Sequence, residues 1–74
     1  MLYWLNIDYP TNVARLHRED CRWCKPSETP LKGVGMIKQD GGWLSFNNYK
    51  EAYSEFKKNY SNMKWQPCKT CRPG

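Results

Sequence analysis

The sequence lacks the features that would direct the chain to a membrane or to export. No apolar run approaches the ~20 residues that a membrane-spanning helix needs. The first eight residues have no basic start and include Asp8, so we expect no signal peptide. No internal repeat or low-complexity segment is present. We therefore expect one cytoplasmic domain over residues 1–74, with no membrane association.

The chain also has few residues with which to build a core. It has 74 residues, of which 39% are hydrophobic. A chain of this size buries only about 60–65% of its unfolded surface, and many such domains add a metal or disulfides. Aromatic residues make up 15% of the chain, and large rings can form a compact core from few positions. We expect a folded monomer, not a disordered tail.

Alternation of side chains predicts two strands near the start of the sequence. Residues 3–7 and 13–17 each alternate in character, and residues 8–12 contain the Pro and Asn of a turn. A hairpin follows, which would deliver His17 and Cys21 at the end of its second strand.

The middle of the chain predicts a second hairpin. Residues 25–33 have loop composition, and residues 34–38 and 43–46 flank Asp40-Gly41, a strong turn signal. Three glycines in this part of the chain leave the lengths of these strands open.

A helix is indicated over about residues 48–59. Asn48 can cap its free N–H groups, and Glu51 stands three positions later as in a capping box. Aromatic and small residues then recur at helical spacing: Tyr49, Ala52, Tyr53, Phe56 and Tyr60. This stripe is typical of a face packed on a core. The elements together predict a small α+β domain with two β-hairpins and one amphipathic helix.

Two Cys-x-x-Cys pairs, Cys21/Cys24 and Cys68/Cys71, lie near opposite ends of the chain, and His17 precedes Cys21 by four residues. In the cytosol such pairs are more often metal ligands than structural disulfides. Structural Zn²⁺ takes four such ligands in a tetrahedron, so the sequence offers one ligand too many. We therefore expect a zinc-stabilised α+β domain in which Cys68 and Cys71 form a C-terminal Cys-x-x-Cys knuckle.

Three of the cysteines, Cys21, Cys68 and Cys71, belong to both possible ligand sets. The fourth ligand is either His17 or Cys24, and spacing does not separate the two because both geometries are common in zinc sites. A lone His on a strand is usually packed or solvated, so the residues by themselves favour Cys24.

Four segments stand out in order along the sequence: residues 16–21, 43–46, 50–52 and 67–73, of which the last has the pattern Pro-Cys-x-x-Cys-x-Pro. Together they resemble the small metal-binding module found at the N-terminus of the Ada DNA-repair protein and in related bacterial proteins. The resemblance implies a zinc site formed by four residues: His17, Cys21, Cys68 and Cys71. Cys24 would then be a spare thiol.

The first of these ligands differs from the Ada pattern. In Ada it is a Cys whose zinc-activated thiolate accepts a methyl group from a DNA phosphotriester, whereas this chain has His17. An imidazole is not an equivalent sulfur nucleophile. The resemblance therefore implies the fold and the metal, and we do not expect methyl-acceptor chemistry unless Cys24 replaces the missing thiolate.

Neither of the other enzymatic interpretations is favoured. Catalytic zinc keeps an open position for water, whereas four protein ligands would close this site. Thiol redox activity normally accompanies one Cys-x-x-Cys on a strand–helix unit, and this chain has two pairs without that context. We therefore expect that the protein is not an enzyme.

The charge of the chain favours an anionic partner. Twelve basic and seven acidic residues give a net charge of +5. Seven cations flank the proposed ligands: Arg15, Arg18, Arg22, Lys25, Lys64, Lys69 and Arg72. A metal joining both segments would gather them into a phosphate-binding patch, and exposed Trp23 or Trp65 could stack on bases.

We expect a module that binds DNA or RNA; the alternative is a protein-interaction module whose zinc is purely structural.

Overall fold

A five-stranded sheet with one helix packed on it forms the part of the chain that the computed structural model describes, residues 2–73. The strands are β1 (Tyr3–Asp8), β2 (Val13–Arg18), β3 (Lys32–Val34), β4 (Gly41–Phe46) and β5 (Lys64–Trp65), and the helix is α1 (Tyr49–Asn59). The strand order is β3-β4-β1-β2-β5. The expected α+β class is confirmed. Among the described residues, no helix has the length and apolar character needed to span a membrane.

The first predicted hairpin is confirmed. Strands β1 and β2 pair antiparallel, with Asp8 opposite Val13 and Trp4 opposite His17. Asn12 closes the turn with φ of 59°, a left-handed conformation that Asn tolerates, and its N–H donates to the Tyr9 carbonyl at 3.0 Å. His17 is therefore fixed near the end of a central strand.

The second predicted hairpin is wrong in its pairing. Strand β4 pairs antiparallel with β1, whereas β3 lies parallel to β4 and covers residues 32–34 instead of 34–38. Around the predicted turn, only an isolated Lys38–Gly41 bridge is antiparallel.

Glycines explain this difference. Gly35 has φ of 77° and ends β3, and its N–H donates to the Trp43 carbonyl at 2.7 Å. The chain then folds closely over the strands, because a Cβ at Gly33 or Gly42 would collide with Met36. Glycine at these positions thus lets the segment that connects β3 to β4 pass close to both strands, which gives a parallel pair in place of a hairpin.

The predicted helix is confirmed, with the expected N-cap. The Asn48 side chain accepts a hydrogen bond from the Glu51 N–H at 2.9 Å, and the Glu51 carboxylate accepts one from the Asn47 N–H at 3.3 Å. Ala52 and Phe56 are buried, whereas Tyr53 is 38% exposed. Only part of the predicted aromatic stripe therefore belongs to the core.

The core lies between α1 and the sheet. Its buried members are Leu5, Ile7, Ala14, Leu16, Ala52, Phe56 and Met63. Ala14 and Leu16 alternate with Arg15 and His17 along β2, so the strand sends His17 to the opposite face of the sheet from the core.

The segment from β5 onward follows β2 in parallel. The N–H groups of Lys64, Gln66 and Cys68 donate to the carbonyls of Asn12, Ala14 and Leu16, each at 2.9 Å. This ladder extends past the two residues of β5 and brings Cys68 beside the end of β2. The segments that carry His17 and Cys68 therefore lie side by side.

Candidate metal centre

Four side chains converge where β2 and the C-terminal segment end side by side: His17, Cys21, Cys68 and Cys71. Their ligand atoms all lie within 4.8 Å of one another. Zn–S bonds of about 2.3 Å and Zn–N bonds of about 2.0 Å place tetrahedral ligands roughly 3.5–3.8 Å apart. The Cys21 and Cys68 sulfurs lie 3.8 Å apart. The cluster is thus close to the size of a zinc site and can hold a metal ion.

His17 is placed by β2 and by an aromatic neighbour. It is 3% exposed, and its ring stacks on Trp43 at 5.9 Å between centroids with 28° between the planes. Its Nδ1 atom is buried without a hydrogen-bond partner. A buried polar atom left in that state costs free energy, and metal coordination by the imidazole would offset that cost.

Cys21 follows β2 in a tight turn. Its N–H donates to the Arg18 carbonyl at 3.0 Å, and its own carbonyl accepts from the Cys24 N–H at 3.0 Å. These two bonds hold the buried Cys21 thiol while the chain turns away. Cys24 is half-buried.

The C-terminal pair forms the second half of the cluster. The Arg72 N–H donates to the Cys68 carbonyl at 3.0 Å and closes a turn around the pair, and Arg72 has the left-handed φ of 47°. The Arg18 N–H donates to the Cys71 sulfur at 3.3 Å. This bond connects the end of β2 to the knuckle through a ligand atom, in the way that backbone N–H groups commonly hold metal-bound thiolates.

Protonation also fits a metal site at His17 and Cys68. Burial, reinforced by the nearby Arg15 charge, lowers the pKa of His17 and keeps the imidazole neutral, which is its metal-binding form. Burial opposes ionisation of Cys68, but N–H groups of Cys71 and Thr70 outweigh it and lower the pKa of this thiol. The lowered pKa favours the thiolate of Cys68, which is the form that binds a metal.

At two further thiols, Cys71 and Cys24, burial prevails and the pKa rises. Burial raises the pKa of Cys71 to about 11, despite the hydrogen bond from Arg18. It also raises the pKa of Cys24 to about 11, with help from the nearby Cys21. A bound cation would stabilise the Cys71 thiolate directly. Cys24 is not in the 4.8 Å group, so the structure gathers His17, and not Cys24, with the three other cysteines.

The seven predicted cations do not form one patch. Arg18 and Arg22 line a depression of about 340 Å³ beside Cys21 and Cys71, where Arg18 pairs with Asp20 at 3.2 Å. Arg15, Lys69 and Arg72 line two further depressions next to the knuckle. Lys25 and Lys64 are exposed and line none of these three.

The two candidate stacking residues also differ. Trp23 is 59% exposed, next to Arg22. Trp65 is half-buried and packs on Phe56 with 4.8 Å between ring centroids. Both remain available to a ligand, but only Trp65 is held in place by packing against other rings.

Sequence reasoning did not find two neighbours of the site. Trp43 was expected only as a strand residue, yet it stacks on His17. Gln66 accepts a hydrogen bond from Arg15 at 2.9 Å and so orients it. Neither contact has a signal in the sequence, because each depends on the strand order and on the parallel β2–β5 pairing.

Comparison of the chain with protein-family models, curated proteins and solved structures gave no match. Function is therefore inferred from the residues of the cluster and its surroundings.

Proposed function

We propose that the chain is a small nucleic-acid-binding module built around one structural Zn²⁺, held by His17, Cys21, Cys68 and Cys71. The proposal of a metal site rests on one observation: four potential ligand atoms lie within 4.8 Å of one another. One imidazole and three sulfurs form a donor set that suits Zn²⁺. When bound, the ion would crosslink the turn after β2 to the C-terminal segment.

A binding role is favoured over an enzymatic one. Four protein ligands leave no position for water or substrate at a tetrahedral ion. The resemblance to the Ada module supports the same ligand set, and His17 in place of a nucleophilic Cys argues against methyl transfer. The role of this zinc is to hold the fold.

Nucleic acid is the proposed partner because cations surround the cluster. The chain carries +5 net charge. Arg15, Arg18, Arg22, Lys69 and Arg72 all line depressions within reach of the two ligand segments. Phosphate contacts by such residues give affinity that falls steeply with salt.

The test is a titration of the zinc-loaded protein with fluorescently labelled DNA and RNA at low salt. We expect saturable binding whose affinity falls as salt is raised. Absence of binding up to about millimolar protein, beyond the range of ordinary non-specific association, would exclude this function.

Docking of a protein is the second candidate, supported by apolar side chains near the β3 edge. Leu31 is 45% exposed and Met36 is 52% exposed. Failure of every nucleic acid to bind, with the metal site intact, would favour this alternative.

A further inference from the structure

Two depressions beside the C-terminal knuckle adjoin each other, because they share lining residues. The first, of about 470 Å³, is lined by Arg15, Trp65, Gln66, Pro67 and Lys69. The second, of about 450 Å³, is lined by Tyr49, Pro67, Cys68, Lys69, Arg72 and Pro73. Pro67 and Lys69 belong to both, so we call the whole surface the Pro67 groove.

The charge of the Pro67 groove has one sign. Three of its residues are cations, Arg15, Lys69 and Arg72, and no carboxylate lines either half. Among residues 2–73, none of these cations forms a salt bridge. The depression beside Arg18 differs because it contains Asp20, which already neutralises that arginine. The Pro67 groove is therefore the better phosphate site.

Aromatic rings stand in both halves of the same groove. Trp65 and Tyr49 lie edge to face, with 6.1 Å between centroids and 81° between planes. Trp65 also packs against Phe56 and Tyr53, with 4.8 Å and 5.2 Å between ring centroids. Rings held in this way can stack on a base at little cost in side-chain entropy, since they are already ordered.

We propose that the Pro67 groove binds a single-stranded nucleic acid, with bases stacking on Trp65 and Tyr49 and phosphates contacting Arg15, Lys69 and Arg72. This inference rests on the proposed nucleic-acid function and adds the strand form and the site. A duplex keeps its base faces stacked within the helix, where these rings do not reach them. An unpaired strand exposes both the bases and the phosphates that the groove matches.

The first experiment compares strand forms by fluorescence anisotropy of the zinc-loaded protein. The probes are labelled oligothymidylate of about 12 nucleotides, within the range of site sizes of small single-strand-binding domains, and a blunt duplex of equal length. Stacking on one or two rings predicts about tenfold tighter binding of the single strand. Equal or tighter binding of the duplex would overturn the inference.

The second experiment removes the charge of the groove with the double variant Lys69→Gln/Arg72→Gln. A matched control, Lys50→Gln/Lys58→Gln, removes two exposed lysines of α1. Loss of two single-strand phosphate contacts predicts a salt slope of log K lower by about 1.4 in magnitude. The control should bind as the parent does. Zinc content is measured for both variants, so that loss of the metal is recognised.

The third experiment locates the stacked base. Trp23→Phe removes the most exposed tryptophan, and quenching of the remaining fluorescence by oligothymidylate should persist. In Trp23→Phe/Trp65→Phe the quenching should disappear, while the retained aromatic ring preserves packing on Phe56. Quenching that is lost with Trp23 alone would place the base elsewhere.

These outcomes separate the two proposals. If no nucleic acid binds, the proposed function itself fails. If nucleic acid binds but the Lys69/Arg72 variant behaves like its control, the function stands and the Pro67 groove is not its site.

Discussion

The Cys21 and Cys68 sulfur atoms lie 3.8 Å apart although 47 positions of sequence separate them. The backbone ladder between β2 and the β5 segment produces this proximity, because the Cys68 N–H donates to the Leu16 carbonyl. A metal at this point would close a long loop of a small domain, and such closure stabilises the fold relative to the unfolded chain.

Removal of the metal should unfold much of the domain. We expect one Zn²⁺ per chain by elemental analysis and loss of dispersed NMR signals after chelation, since metal affinity is folding free energy in so small a domain. Restoration by added Zn²⁺ is the control for irreversible damage. A chelated protein with an unchanged melting temperature would show that the fold does not need the metal.

His17→Ala should reduce zinc affinity far more than Cys24→Ser, because only His17 belongs to the converging group. Competition with a chromogenic chelator measures both. His17→Cys supplies another zinc ligand and should recover binding, which separates loss of a ligand from loss of a buried ring. The opposite order of the first two variants would indicate the four-cysteine set.

Local patterns predicted the elements whose partners are close in sequence. The β1–β2 hairpin and the Asn48-capped helix are both of this kind. The β3–β4 pairing was not predictable in the same way, since a parallel pair is fixed by the crossover through Gly35 and Met36 and not by a turn. Spacing alone also leaves the choice between His17 and Cys24 open. The strand geometry that buries His17 beside Trp43 brings His17, and not Cys24, into the cluster.

Asn48→Ala should destabilise the folded domain by about 1 kcal/mol, the usual cost of losing an N-cap side chain. The Asn48 side chain accepts from the Glu51 N–H, which would lose its partner. Denaturant titration of the zinc-loaded protein measures the change. Asn47→Ala is the matched control, because Asn47 takes part through its backbone N–H. Equal effects of the two variants would contradict the capping role.

Gly41→Ala should destabilise the fold by at least about 3 kcal/mol, because strained backbone and a backbone collision act together. Gly41 has φ of 125°, and a Cβ there would collide with the Ile7 carbonyl in the β1–β4 pair. Gly35 also has a positive φ, but a Cβ added there would meet no atom within 4 Å. For Gly35→Ala we therefore expect only the left-handed backbone strain of about 1 kcal/mol. Thermal melts distinguish them, and similar melting temperatures would mean that β4 can shift.

We propose that His17, Cys21, Cys68 and Cys71 bind one Zn²⁺ and that Cys24 is not a ligand. NMR shifts of the cysteine Cβ atoms and of the histidine ring nitrogens, recorded with and without Zn²⁺, identify the ligands. The structure predicts metal-bound shifts for three cysteines and for one His17 nitrogen, with Cys24 remaining a free thiol. Metal-bound shifts at all four cysteines and an unchanged His17 ring would contradict it.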